Sequence, residues 1–113
     1  MSTFKRGIQC IGVEPAANVA RIANDSGIPT INNYFTKKVA NEIRKMHGKL
    51  DLITASNVFA HADDLKGIAT NAFRILKSSG AFVIEVQYLL DTINDLTFDN
   101  IYHEHVNYWS VTS

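Results

Sequence analysis

The sequence predicts an α/β fold in which helices cover the faces of a parallel sheet. Short apolar runs alternate along the chain with segments whose apolar residues recur at spacings of three and four, the period of an amphipathic helix. Parallel neighbours in a sheet need a crossover connection, and such connections are helical and right-handed. The 113 residues, 46% of them hydrophobic, suffice for one domain and not for two. We therefore expect a single domain over residues 1–113.

The first β–α unit is predicted over residues 8–26. Residues 8–13 form an apolar run typical of a buried parallel strand, and Pro15 ends it because proline cannot donate to a strand ladder. Residues 15–26 carry apolar side chains at helical spacing, with proline at the start and Gly27 just after the end, as helices prefer. Cys10 lies within the predicted strand, where we expect a small buried side chain.

The second β–α unit follows directly. Residues 28–31 form a short strand, and Pro29 within it favours an edge position. Thr36 is placed to cap a helix that runs to about Met46 and ends at Gly48. The lysines of this helix are expected on a solvated face, and its buried side is predicted to consist of Val39, Ala40 and Ile43.

Two further strands, over residues 51–55 and 81–86, are predicted on either side of a third helix. Asp63 and Asp64 open this helix, where carboxylates suit the positive end of the helix dipole. Residues 78–80, Ser-Ser-Gly, are expected to break it before the fourth strand begins. The side chains expected to point inward from the third helix are Leu65, Ile68, Ala69, Ala72, Phe73 and Leu76.

Charge and hydropathy exclude several classes of partner. Eleven Lys and Arg residues balance eleven Asp and Glu residues, so no excess of positive charge indicates a nucleic acid or an anionic membrane. No apolar run approaches the roughly 20 residues that span a bilayer, and the start of the sequence lacks the apolar core of a signal peptide. A soluble, cytoplasmic protein is expected. The single cysteine, Cys10, excludes an internal disulfide and an all-cysteine metal site.

The carboxyl ends of the strands are where parallel sheets of this kind bind ligands. Glu14 closes the first strand directly before a helix, and its carboxylate has the paired acceptors that both hydroxyls of a ribose need. The alternative is that Glu14 only faces the positive end of the helix dipole. A nucleotide site of this type also has a glycine-rich turn about 20 residues upstream, whereas thirteen residues precede Glu14.

The last part of the sequence is the densest in chemical groups. After a short helix predicted over residues 88–95, the segment 99–109 contains a glutamate, aromatic side chains with polar atoms, and two histidines, His103 and His105. In an extended chain the histidines point to one side while Tyr102 and Glu104 point to the other. Such a cluster can hold a general base. No metal site is predicted, because zinc needs further ligands at recognised spacing. A solvated tail without chemical function is the alternative.

Four motifs follow one another along the chain: 12–15 with the alanine-rich helix after it, 57–61, 82–86 with 88–91, and 98–105. In this order and spacing they resemble the S-adenosylmethionine-dependent sugar C-methyltransferases, which methylate a carbon beside the keto group of nucleotide-linked deoxysugars. The resemblance runs from about Lys5 to the end. It implies a three-layer Rossmann-like parallel sheet, a truncated class I methyltransferase domain, with S-adenosyl-L-methionine as cofactor and a nucleotide-linked keto-deoxysugar as substrate.

The resemblance also implies where the cofactor binds. It makes Glu14 the partner of the cofactor ribose and places Asn57 near the methionine half and the reaction centre. The residues that it places near the adenine are Asn33, Tyr34 and Phe35.

The catalytic residues implied by the resemblance are His61, Tyr102, Glu104 and His105. A carbon next to a carbonyl becomes nucleophilic only after a base removes its proton and a donor stabilises the enolate oxygen. We expect His105 to be the base, because imidazole titrates near neutral pH. Tyr102 or His61 then donates hydrogen bonds to the sugar oxygens, and Glu104 orients the histidine.

The chain also departs from that family. Family members are several times longer, with an N-terminal zinc module, a first strand that bears the glycine-rich loop, and a C-terminal domain. Gln87 stands where the family usually has proline. We therefore expect the sequence to be the middle of such an enzyme, an incomplete and inactive fragment when alone. A non-catalytic nucleotide- or protein-binding α/β module is the alternative, and an unrelated flavodoxin-like domain is a third hypothesis.

The absent first strand has a structural consequence. In the complete fold it lies between the first and third strands of this chain, so its absence exposes two strand edges and an apolar surface. We expect either that strand one moves beside strand three, giving the order 2-1-3-4, or that a second copy covers the defect in a homodimer.

Overall fold

The computed structural model describes residues 7–59, 61–97 and 107–111. Strands and helices alternate in the predicted order, followed by one further helix. The elements are β1 (Gly12–Val13), α1 (Ala17–Asp25), β2 (Thr30–Ile31), α2 (Lys37–His47), β3 (Leu50–Ser56), α3 (Leu65–Ile75), β4 (Leu76–Glu85) and α4 (Leu89–Asn94). The α/β class with parallel strands is thereby confirmed. Much of the predicted chemical segment, including residues 98–106, lies outside the described residues.

The strands form two separate two-stranded parallel sheets, β1–β2 and β3–β4. The predicted order 2-1-3-4 is wrong for the described residues, because no ladder joins β1 to β3. A full three-layer sheet is likewise not formed by them. Val13 of β1 and Ile53 of β3 nevertheless pack against a common buried cluster formed by α2 and α3.

Helix α2 links the two sheets. The buried cluster consists of Val39, Ala40 and Ile43 on α2 and Ile75 on α3. Apolar side chains from both sheets, from the residue before β1 and from the loop after β2 pack against it, namely Ile11, Val13, Ile31, Phe35, Leu50 and Ile53. Local signals set the ends of α2, as predicted. Thr36 accepts a hydrogen bond from the Val39 amide at 3.3 Å, and Gly48 ends the helix with a φ of 75°.

Strand β4 begins earlier than predicted, at Leu76, directly after α3. The expectation that residues 78–80 separate the third helix from the fourth strand is wrong, because the helix has already ended at Ile75 and these residues lie inside the strand. Leu50 pairs with Leu76, but the register then shifts so that Leu52 pairs with Ala81. The extra residues form an irregularity in β4, and small side chains suit it. At Gly80 a Cβ atom would lie 3.0 Å from the Leu50 carbonyl oxygen.

Two burial predictions are wrong. Cys10 is exposed, because β1 starts only at Gly12 and the residues before it lie outside any strand. Phe73 is 69% exposed, whereas Ile75, outside the predicted set, is fully buried in the core. The difference follows from packing: α3 contacts the α2 residues of the core through Ile75, whereas Phe73 lies outside that cluster.

One face of the β3–β4 sheet is not covered by any described helix. Leu52 and Val83 share this face, as the strand register shows, and they are 55% and 51% exposed. Phe82 lies on the opposite face, where its ring contacts Phe73 of α3 at 6.3 Å between centroids. Parallel sheets are normally covered on both faces. Separately, none of the helices in the described part of the chain is long and apolar enough to cross a membrane.

Candidate functional site

The polar side chains of interest lie where the strands end, in two groups. One follows β1 and β2 and includes Glu14, Asn32 and Tyr34; the other follows β3 and β4 and includes Asn57 and Glu85. A hollow of about 550 Å³ lies elsewhere, on the outer side of α2. Its lining residues all belong to one solvated helix face, so we assign the candidate site to the strand ends, where parallel sheets bind ligands.

Glu14 is held in place by several hydrogen bonds. Its amide donates to the Ile31 carbonyl at 3.0 Å, which extends the β1–β2 ladder by one residue. Its carboxylate Oε1 accepts from the Ala16 amide at 2.8 Å, so it caps α1, whose own N-cap residue supplies no side-chain bond. The Asn32 amide Nδ2 donates to the carbonyl oxygens of Glu14 and Pro15, both at 2.9 Å.

The capping interpretation of Glu14 and the ligand-binding interpretation are compatible. Only Oε1 is engaged, and Oε2 makes no hydrogen bond among the described residues. A carboxylate has about four acceptor positions, so Glu14 can cap α1 and still accept from a ligand. The side chain is partly buried, and the Asn32 bonds restrain the backbone beneath it.

The three residues predicted near the adenine differ in environment. The Asn33 side-chain oxygen accepts from the Tyr34 amide at 2.8 Å and stabilises the turn after β2. Tyr34 is 71% exposed, beside the end of the sheet. Phe35, in contrast, packs against the α2 core cluster. The structure therefore brings Asn33 and Tyr34 to the same sheet edge as Glu14 and turns Phe35 toward the interior.

The ends of β3 and β4 are tied together by Glu85. Its Oε2 atom accepts from the Ser56 hydroxyl at 3.2 Å, and its carbonyl accepts from the Asn57 amide at 2.9 Å. Asn57 has a φ of 56°, a left-handed conformation that asparagine adopts more readily than most residues. The sequence places Glu85 at the end of the fourth strand, among the positions where ligands bind, but assigns it no role in the site. The signal for it was present, because an acidic residue closes this strand as Glu14 closes β1.

His61 lies in the loop between β3 and α3, and its amide donates to the Val58 carbonyl at 3.1 Å. The other predicted catalytic residues, Tyr102, Glu104 and His105, lie outside the described residues, so their roles stay predictions. Within the ranges 7–59, 61–97 and 107–111, no group of three or more His, Cys, Asp or Glu side chains could hold a metal ion.

Residues 107–109 contact the loop that carries His61. The Asn107 side chain donates to the carbonyl oxygens of Phe59 at 3.2 Å and Ala62 at 2.9 Å. The Trp109 ring contacts the Phe59 ring at 6.2 Å between centroids, and the Trp109 carbonyl accepts from the Leu89 amide at 2.7 Å. The end of the described chain is thus joined to both the β3–α3 loop and the start of α4.

Helix-linked parallel strands with acidic residues at their carboxyl ends are typical of doubly wound α/β proteins. A sequence model described as a methyltransferase domain matches residues 3–113, and the chain belongs to this methyltransferase family. It is 38% identical over 107 residues to the C-methyltransferase NovU of Streptomyces niveus. That match covers 95% of the chain and 26% of the relative, so the chain spans about a quarter of the relative's length.

Proposed function

We propose that this chain forms the cofactor-facing part of an S-adenosylmethionine-dependent C-methyltransferase that acts on a nucleotide-linked keto-deoxysugar. The similarity of the chain to a C-methyltransferase supports the reaction type. The resemblance of its four motifs to those of the sugar C-methyltransferases supports a sugar substrate. The observation that carries the proposal is Glu14, held at the end of β1 with one carboxylate oxygen available to a ligand.

The strand-end residues fit the ribose half of the cofactor. Glu14 can accept from a ribose hydroxyl through Oε2, and the exposed ring of Tyr34 is available to an adenine at the same edge. The methionine half fits less completely, because residues 1–113 contain no glycine-rich turn of the G-x-G-x-x-G type. When bound, S-adenosylmethionine supplies an electrophilic methyl group on a sulfonium.

The chain's own residues prepare the sugar carbon. His105 takes the proton from the carbon beside the keto group, and Tyr102 or His61 donates a hydrogen bond to a sugar oxygen. Glu104 orients the histidine. A general base with a pKa near the working pH is the most effective, which is why histidine is assigned this step.

Cofactor binding to the chain tests the proposal directly. We expect S-adenosylhomocysteine to bind with micromolar affinity in isothermal titration calorimetry, because the ribose contact remains while the glycine-rich cradle is missing. Glu14→Gln should weaken binding about tenfold, since it replaces charge-assisted hydrogen bonds with neutral ones. Glu42→Gln, on the exposed side of α2, is the matched control and should bind as the unmodified chain does.

Two outcomes would overturn the assignment. Equal affinities for the Glu14 and Glu42 variants would remove Glu14 from the site. No measurable heat with the unmodified chain would favour the non-catalytic binding module instead.

The chain alone is an incomplete domain in this proposal. Val13 of β1 and Ile53 of β3 pack on the same buried cluster, yet each strand has a ladder partner on one edge only among the described residues. Open strand edges need a partner or a cover. We infer that one additional parallel strand pairs with these edges, and that a helix following it covers the exposed face with Leu52 and Val83.

The occupant we propose is an apolar β-strand and helix from polypeptide outside these 113 residues. The probe is the part of NovU that lies outside its matched stretch, co-expressed with this chain. Co-purification as a one-to-one complex is expected. Leu52→Lys should weaken the complex at least about tenfold, because it places a charge on the covered face. Leu96→Lys, at a 71% exposed position that follows α4, is the control and should not.

The homodimer predicted from the sequence is the competing outcome. If the chain alone dimerises at micromolar concentration and Leu52→Lys dissociates the dimer, a second copy covers this face. That result, or failure of the NovU segment to bind the unmodified chain, would overturn the proposed occupant.

A further inference from the structure

We propose that Asn107 is a positioning residue that holds the β3–α3 loop, residues 57–62, in the conformation that presents Asn57 and His61. The role of the loop, which is to present Asn57 and His61 to a ligand, rests on the proposed function, whereas the contact of Asn107 with the loop does not. The contacts that carry it are those of the Asn107 side chain with two loop carbonyls, 48 and 45 residues away in sequence.

The chemistry of the Asn107 side chain suits this task. A primary amide nitrogen carries two hydrogens, and Nδ2 of Asn107 donates to the carbonyl oxygens of both Phe59 and Ala62. The loop has no repeating ladder that would satisfy these two carbonyls, and buried backbone acceptors need partners. One side chain thereby joins two points of the loop, and the partly buried position strengthens both bonds.

The segment that carries Asn107 is itself anchored. The Leu89 amide donates to the Trp109 carbonyl at 2.7 Å, and a parallel bridge pairs Tyr88 with Trp109. The Trp109 Nε1 atom is buried without a hydrogen-bond partner among the described residues. The indole therefore contributes apolar contact with Phe59, and Asn107 supplies the side-chain hydrogen bonds to the loop.

The hydrogen bonds described within the loop itself are few. Asn57 adopts a left-handed conformation, and among the described residues the turn that follows has one backbone hydrogen bond, from the His61 amide to the Val58 carbonyl. Phe59 is the buried apolar anchor of the loop, 7% exposed. Asn107 fixes the backbone on both sides of residue 60, so its loss should release the half of the loop that leads to His61.

Hydrogen exchange measured by mass spectrometry tests this inference. In Asn107→Asp the side chain keeps its shape and loses both donors, and amides of residues 57–62 should exchange at least about tenfold faster, the factor expected for a lost net hydrogen bond. Asn94→Asp is the matched control, because it adds the same charge at an exposed position on α4. The amides of α2 provide an internal reference and should exchange as before.

A second readout distinguishes positioning from a general loss of stability. Asn107→Ala, which adds no charge near the loop, should move the NMR signals of the His61 ring toward their unfolded values, while those of His47 on α2 stay in place. Unchanged loop exchange, or equal acceleration in the loop and α2, would overturn the inference. Neither measurement needs cofactor or turnover, so the role of Asn107 can be confirmed or refuted independently of the proposed function.

Discussion

Replacing Ile43 with alanine tests whether α2 holds the two sheets together. Ile43 is 2% exposed and belongs to the cluster on which both sheets pack. The change removes three carbon atoms, worth about 2.4 kcal/mol at 0.8 kcal/mol per buried methylene. The cavity left behind raises the expected loss to about 3–4 kcal/mol, within the usual range for Ile→Ala. The largest fully buried side chains among the described residues are Ile43, Ile75 and Val39, so the loss of one removes a large part of the buried core.

Urea unfolding followed by circular dichroism measures the effect. With a slope of about 2 kcal/mol per molar urea, Ile43→Ala should lower the midpoint by roughly 1.5–2 M. The midpoint of Ile43→Val should lie between those of Ile43→Ala and the unmodified chain, because this change lowers the free energy of unfolding by about 1 kcal/mol. Met46→Ala, on the same helix but 61% exposed, is the control. If the Ile43→Ala and Met46→Ala midpoints coincide, α2 does not link the sheets as described.

Three further substitutions test local contacts by the same urea assay. Asp64→Ala should lower the free energy of unfolding by about 1 kcal/mol, because Asp64 accepts from the Gly67 amide at 2.8 Å and caps α3. An unchanged urea midpoint would show that this cap does not stabilise the helix. Gly48→Ala should cost about 1–3 kcal/mol, because its φ of 75° and ψ of −157° suit only glycine; a stabilised variant would contradict that geometry. Lys77→Ala should change stability by less than about 0.5 kcal/mol, since its 2.7 Å ion pair with Asp51 is exposed; a loss above 1 kcal/mol would show an unrecognised role.

Helix positions were predictable because their signals are local. Periodicity placed α1, α2 and α3 within about two residues of their observed bounds, and capping residues marked the starts of α2 and α3. Thr36 and Asp64 accept from the backbone amides three residues later, as their sequence positions predict. Such contacts form between residues a few positions apart, so they can be read from the chain itself.

Strand boundaries and burial were less predictable. The Ser-Ser-Gly segment has the composition of a break, but pairing with β3 draws it into β4. Phe73 has the spacing of a buried residue, but the contact between α2 and α3 buries Ile75 instead. In both cases the outcome depends on a neighbouring element that sequence spacing does not specify.

The candidate site divides in the same way. Glu14 and Asn57 were predictable, because each directly follows a strand whose apolar run is plain in the sequence. Phe35 was predicted beside them and packs on the core instead. Asn107 carried no signal, since its partners lie 45 and 48 residues earlier.

The alternation of strands and helices, the caps and the acidic residues at strand ends can be read from the sequence, because short-range hydrogen bonds and hydrophobic period are properties of neighbouring residues. Three features became visible only in the folded chain: β1 and β3 are not paired with each other, one sheet face is exposed, and the Asn107 side chain bonds to the β3–α3 loop. Strand pairing and helix packing join residues far apart in the chain, and competing arrangements differ by packing free energy that no local pattern contains.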